Sequence, residues 1–560
     1  MDPEAKDLQC IDVTAVAGAW DHFVRSFLEA YFEAHPTFAA GAGRHEYDGR
    51  LPDWSPEAIA EEIARLRTER SRAVEFDPAM LDERRAFEQE IVLSVVDSDL
   101  FWLEAAEFPW RNPLFYAGPL DPNLYLSREY APLERRMRAY VEYARAVPRA
   151  AGQVRANLRA PMPRTHAELG ERSFAGLAGY YESDVPAVFA AVDDPDLQAE
   201  FREANAAAAR AMRELGAWFH DQIPPAGEDA GEFRLGADLY SRMLWDMERV
   251  DVSLAELEDA GRRDLERNLA ALREACAAYA PGLSVEECLA RVQARKPAGG
   301  PVEAARRQLA GLRRFIEERE LVSIPGSEEI RIEEAPPYQR WNSAYIDIPG
   351  PYDRHLPSIY YIAPPDPSWS PAEQAEYIPG EADLLFVTAH EVWPGHFLQF
   401  MHSNRAESEL ARLFVGYGFA EGWAHYSEEL MWEAGFGDSD PHLHIGQLQN
   451  ALLRNVRYVV ALGLHTGRLT LEEAERMFRE QAFQDPANAR QQAARGTFDP
   501  AYLNYTLGKL MVRKLREDWT ASRGSRSAWR EFHDRFLSYG GPPVPLVRRA
   551  MMGGETGSLL

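Results

Sequence analysis

Acidic side chains outnumber basic ones by 89 to 61 in this 560-residue chain, and the formal net charge of -28 argues against nucleic acid or anionic membrane as partner. With 46% hydrophobic and 27% charged residues, the composition is that of a soluble globular protein with length for about two to four domains. Three cysteines (Cys10, Cys276, Cys288) offer neither a disulfide framework nor a thiolate metal site. The N-terminus lacks a basic segment followed by a long apolar run, and no stretch approaches the roughly 20 apolar residues of a membrane span. The expectation is a cytoplasmic protein with buried, reduced thiols.

From about residue 18 to 320 the pattern is helical. SPEAIAEEIARLRTERSRAV and DLQAEFREANAAAARAMRELGAWF carry apolar residues at threes and fours among strong helix formers. Ser55-Pro56 and Asp194-Pro195 read as helix starts, each a capping residue followed by proline in the first turn. FPWRNPLFYAGPLDPN and RKPAGGPVEAA break the helices. Near residue 320 the pattern changes: EEIRIEEAPPYQ and HLPSIYYIAPPD have the branched and aromatic runs of strands. Helices resume after PGEAD and continue to about residue 540. The expected fold is mainly α, with residues 1–320 as a helical lobe and 321–560 as a lobe holding a small sheet and further helices, the two forming one continuous unit. The sheet precedes a distinctive helix, and its free edge could pair with a substrate backbone.

That helix contains TAHEVWPGHFLQF, residues 388–400. Many zinc hydrolases place two histidines four apart on one helical face, with a glutamate beside the first as general base. Here the position four after His390 is Pro394, and His396 follows six after. Six residues turn a regular helix through roughly 600° and advance it roughly 9 Å, which separates the imidazoles. Either Pro394-Gly395 simply ends a helix between two ordinary histidines, or a widened turn loops out two residues, with glycine supplying unusual backbone angles. Catalytic zinc takes three protein ligands and keeps one open position. GFAEGWAHYSEEL supplies a carboxylate 31 residues after His390. There Glu421, His425 and Glu428 share one helical face, while Phe419, Trp423 and Tyr426 can pack the helix inward. Glu421 is the expected third ligand and Glu428 the alternative, against the plain reading of a solvated helix face.

Two later segments add polar groups. RNVRYVVALGLH sets Arg454, Arg457 and His465 near one side of a helix, and DPAYLNYTLGKL contributes Tyr505. For Arg457 and Tyr505 a buried ion pair and a core tyrosine are the structural alternatives. His402, His425, His442 and His444 have no matching second element and read as surface or supporting residues.

The chain resembles the bacterial family called domain of unknown function 885. The resemblance rests on the H-E-x-x-P-G-H and E-G-W-x-x-Y segments, with DGRLPDWS near residue 48, RNPLFYAG near 111 and NSAYIDIPGP near 342. The second segment is also similar to the N-E-G-F-A stretch of aminopeptidase N-like enzymes, whose glutamate binds zinc. Ala461, Leu469 and Tyr502 depart from the family pattern of an acid, a tryptophan and a glutamine. The resemblance implies a gluzincin-like metallopeptidase fold, with His390, His396 and Glu421 as Zn2+ ligands and Glu391 as general base. The implied function is hydrolysis of short peptides through a metal-activated water. Tyr505, then His425, would stabilise the oxyanion, and Arg457, His465 and Tyr345 would bind substrate. An amidase for a specialised small metabolite and a non-catalytic binding protein are the alternatives. A monomer or homodimer is expected.

Overall fold

Capping side chains start the helices where the sequence places them. Ser55 accepts a hydrogen bond from the Ala58 amide, and Pro56 opens α1 (Pro56–Val74). Two long helices follow, α2 (Leu133–Asn157) and α3 (Arg164–Phe189). Asp194 then accepts from the Leu197 amide at the head of α4 (Pro195–Gln222). Each cap satisfies an amide that the first helical turn would otherwise leave unpaired. The computed structural model describes residues 13–225, 231–336, 340, 343–366, 368–554 and 557–560. Cys10, the N-terminal segment and Asn342 of NSAYIDIPGP lie outside them.

The protein is mainly α, with one small sheet. Helices α2, α3 and α4 enclose their own apolar core, which includes Tyr140, Tyr181, Phe189 and Phe201. The largest core runs across residue 320. It joins α5 (Leu254–Tyr279) to the sheet and to the C-terminal helices. Among the described residues no helix is long and apolar enough to cross a membrane.

The cysteines depart from expectation. Cys276 in α5 is bonded to Cys288 on the next helix, so this pair is not two free buried thiols. The short connection between the helices sets them side by side, which a count of cysteines cannot reveal.

The sheet has three strands in the order β1-β3-β2. β1 (Ile330–Glu334) runs parallel to β3 (Ser358–Ile362), and β2 (Ala344–Asp347) runs antiparallel to it. The central strand is the most apolar and the most buried, as a strand flanked on both sides should be. β2 is a further strand inside NSAYIDIPGP, where four half-buried residues give too short a pattern to read. The sheet leads into α6 (Glu381–Glu391), the helix that carries His390.

Candidate functional site

Helix α6 ends at Glu391, and a new helix, α7 (His396–Ser403), begins at the second histidine. The expected bulge within one helix is instead a complete break. Pro394 lacks an amide donor and disfavours helix at Trp393, so the chain must leave the helical path there. The Gly395 amide reaches back to the Ala389 carbonyl at 3.0 Å, and the Leu398 amide to Val392 at 3.4 Å. Gly395 has a negative φ of -73°, so it is not there for a left-handed backbone. It is there for clearance, because a Cβ would lie 1.7 Å from the His390 carbonyl oxygen.

The break is pinned from the neighbouring helix, α8 (Tyr417–Glu433). Trp423 donates its indole N–H to the Pro394 carbonyl at 2.8 Å, and Ser427 donates to the same oxygen at 3.4 Å. The tryptophan and the proline of the two motifs therefore meet. The result brings the His390 and His396 rings to 4.8 Å between centroids, at 85° to each other.

α8 also meets α9 (Pro441–His465), α10 (Pro486–Phe498) and α11 (Asn504–Thr520) around the site. It crosses α11 at glycines. A Cβ on Gly422 would lie 2.5 Å from the Gly508 Cα, and one on Gly508 would lie 2.0 Å from the Gly418 carbonyl. Glu421 immediately precedes one glycine, and Tyr505 lies three residues before the other. This close backbone approach brings the carboxylate and the phenol into one site.

The donor atoms of His390, His396 and Glu421 all lie within 4.8 Å of one another. Glu421 Oε2 is 3.2 Å from His390 Nε2 and 3.5 Å from His396 Nε2. Yet this buried oxygen has no aligned hydrogen-bond partner. Donors about 2.1 Å from a tetrahedral ion stand roughly 3.4 Å apart, which these spacings match. The three donors are close enough together that they could hold a cation between them.

His390 Nδ1 meets Glu428 Oε1 at 2.7 Å, so Glu428 orients the histidine and is not among the three clustered donors. Arg454 lies 3.2 Å from the same Glu428 oxygen. Arg454 also donates to Asn450, which donates to Asp383 at 2.7 Å. Burial and Arg454 oppose a charge on His390, but the Glu421 and Glu428 carboxylates outweigh them and raise it to about 9. Burial likewise opposes ionisation of Glu421, and His396 and His390 still hold it well below the usual carboxylate range. Glu391 is half-buried beside the cluster, and burial pushes its carboxyl up.

The other expected site residues divide into two groups. Tyr505 stands beside the donors, its ring 6.5 Å from the His390 ring. Burial and Glu421 raise its phenol, which keeps the proton on. The Arg457 guanidinium lies 5.2 Å from the Tyr505 ring centroid. His425, by contrast, is fully buried behind Glu428, with Nδ1 3.5 Å from Glu428 Oε2, and burial drives it down to about 4. It faces the supporting carboxylate and lies outside the donor cluster, which removes it as an oxyanion donor. His465 donates from Nε2 to the Gly496 carbonyl at 2.8 Å and stacks on Tyr240. Tyr345 stacks on Tyr361 across the β2–β3 ladder. His465 thus packs near the far end of α9, one turn of helix sufficing to aim a side chain away.

Tyr417 and Arg495 were missed. Tyr417 packs edge-on against Tyr505, with 5.7 Å between centroids, and its hydroxyl accepts from Arg495 at 3.1 Å. Tyr417 stands one helical turn before Glu421, a spacing that could have flagged it. Arg495 has no such signal, since only the packing of α10 brings it here.

A structure described as a "putative lipoprotein of unknown function" from Shewanella oneidensis is similar to this chain. It has a TM-score of 0.78 and 22% identity, over 95% of this chain and 99% of that one. A "putative lipoprotein" from Colwellia psychrerythraea has a TM-score of 0.76 and 18% identity, over 97% of this chain and 98% of that one. At such identities the likeness is one of fold. No curated protein matches the chain. The family model for "Bacterial protein of unknown function (DUF885)" matches residues 36–551, and the chain belongs to that family.

Proposed function

We propose that the protein is a zinc-dependent hydrolase of the gluzincin kind that cleaves short peptides. One observation carries the reading: His390, His396 and Glu421 face a common point, and Glu421 Oε2 is buried there without a hydrogen bond. An uncompensated buried carboxylate oxygen is costly unless a cation meets it. Two imidazoles and a carboxylate are a common donor set for catalytic zinc. Zinc held there would supply Lewis acidity, lowering the pKa of a water toward neutrality and polarising a carbonyl.

The chain's own residues supply the rest. Glu391 follows the first histidine and borders the donor cluster, where its carboxylate can take a proton from water and return it to a leaving amine. Tyr505 keeps its proton and can donate to a carbonyl oxygen as it gains negative charge. Glu428 fixes the His390 ring through Nδ1, leaving Nε2 for the metal.

Metal analysis and a short-peptide panel test the proposal. Purified protein should carry about one zinc per chain. Turnover should stop with a chelator and return with zinc. Glu391→Gln should keep the zinc and lose at least about 100-fold in turnover. Zinc-loaded protein that cleaves none of the panel would sink the peptidase reading, and a Glu391→Gln variant of near-normal activity would move the base elsewhere.

A further inference from the structure

Three guanidinium groups surround the Tyr505 ring: Arg457 at 5.2 Å, Arg454 at 5.8 Å and Arg495 at 6.0 Å from its centroid. Two of these charges are matched. Arg454 lies 3.2 Å from Glu428, and Arg495 lies 2.9 Å from Asp499. Arg457 is different. Its Nε donates to the neutral Gln492 at 2.8 Å, and no carboxylate lies within 4.0 Å of it among the described residues. Its two terminal nitrogens have no hydrogen-bond acceptor there.

Burial and the neighbouring Arg495 push the Arg457 guanidinium down to about 10, the direction expected of a cation without its anion. Glu391, Tyr417, Glu421, Arg457, Arg495 and Tyr505 are all half-buried, whereas most of α8 and α9 around them is fully buried. Partial exposure thus extends over the metal donor Glu421, the phenol and the unmatched guanidinium. A guanidinium fork suits a carboxylate, which can accept two parallel N–H bonds.

We propose that this arginine–tyrosine wall recognises a carboxylate on the substrate, with Arg457 as its principal donor. The inference rests on the hydrolase reading and narrows its substrate class. The Tyr505 ring lies between His390 and Arg457, with centroid separations of 6.5 Å and 5.2 Å. An extended peptide advances roughly 3.3–3.6 Å per residue, so these separations put the carboxylate within about three residues of the cleaved bond. The substrates are short peptides, or acylated amino acids, with a free carboxylate on the leaving side.

The test compares zinc-loaded parent, Arg457→Gln and Arg457→Lys on matched peptides. Each peptide is supplied as the free acid and as the C-terminal amide, with neutral or acidic side chains. The parent should prefer the acid over the amide by roughly 10- to 100-fold in kcat/KM, the scale of a charged hydrogen-bonded pair. Arg457→Gln should shrink that ratio toward one, and Arg457→Lys should fall between, since it keeps the charge and loses the fork. If acidic side chains rescue the amides in an Arg457-dependent way, the carboxylate comes from the side chain and the chemistry assigned here stands. An acid-to-amide ratio near one in the parent on peptides with neutral side chains overturns the proposal.

Calorimetric binding of the same acid and amide pairs to zinc-loaded Glu391→Gln separates the two readings. Arg457-dependent preference for the acid without turnover in the parent would sink the hydrolase and keep the recognition. Turnover of acids and amides alike would do the reverse.

Discussion

Two clusters of buried charge flank the packed helices α8 and α11, one completed by α5 and the other bordered by α9, and they are finished differently. On one side Lys509 is fully buried between Asp264 and Glu429. Arg267 adds a two-pronged pair to Glu429 at 2.8 and 2.9 Å, and Arg513 reaches the same carboxylate at 3.1 Å. On the other side, Glu421 presents a buried oxygen with no hydrogen bond, and Arg457 presents a guanidinium with no carboxylate. The first network joins five side chains from α5, α8 and α11, whereas Glu421 on α8 and Arg457 on α9 face no such network. The closed cluster holds the helices together, and the open one contains the donors of the proposed site.

The largest effect should come from opening the closed cluster. Lys509→Met leaves Asp264 and Glu429 short of a counter-charge in the interior, and should cost about 3–5 kcal/mol in urea unfolding of the metal-free protein. Glu421→Gln should cost less stability than this yet abolish zinc binding, so the two variants exchange phenotypes across the helix pair. Equal stability losses would erase the distinction between the clusters.

Tyr505→Phe probes the open side next. It should lower kcat by roughly 10²–10³-fold with little change in KM, the scale of deleting one oxyanion donor. A variant that is destabilised but fully active would make Tyr505 a packing residue, and the comparison would lose its catalytic half. Glu428→Gln is milder, because the amide keeps the shape but not the charge that orients His390. Zinc affinity should fall about 10- to 100-fold in a competitive chelator titration, with the fold unchanged. An unchanged affinity would mean that Glu428 serves Arg454 and not the metal site.

The smallest effect concerns Glu248, which accepts from the Gly418 amide at the head of α8 and is pushed up to about 7 by burial. Its folded-state value lies above the ordinary 4.5, so the stability it lends is full below about pH 4.5 and is lost as pH rises through 7. The slope should reach at most about 1.4 kcal/mol per pH unit. Glu248→Gln should flatten the profile of melting temperature between pH 5 and 7. An unchanged profile would put the titration in another group.

Much of the fold is legible where the signal is local. Ser55 and Asp194 cap the helices they announce, and β1 and β3 occupy the two segments with branched and aromatic runs. The HEVWPGH and EGWAHYSEE stretches also name their own members, because His390, His396 and Glu421 converge. Reading fails where a residue's neighbours are distant in sequence. His425 shares a helical face with Glu421 by spacing, yet one further turn of α8 carries it behind Glu428. Arg495 joins the site from α10 with no motif to mark it, and the Cys276–Cys288 bond depends on how two consecutive helices fold back.

The sequence by itself determined the donor types, a departure from regular helix at Pro394 and the helical character of nearly everything around them. These follow from side-chain chemistry, a missing amide and periodicity, all local properties. Only the tertiary structure decided which donors share a point, that Gly395, Gly422 and Gly508 are required for clearance, and that Arg457 alone of three arginines lacks an anion. Those facts depend on distances between backbones far apart in the chain, and packing sets such distances to within an ångström where sequence spacing carries no record of them.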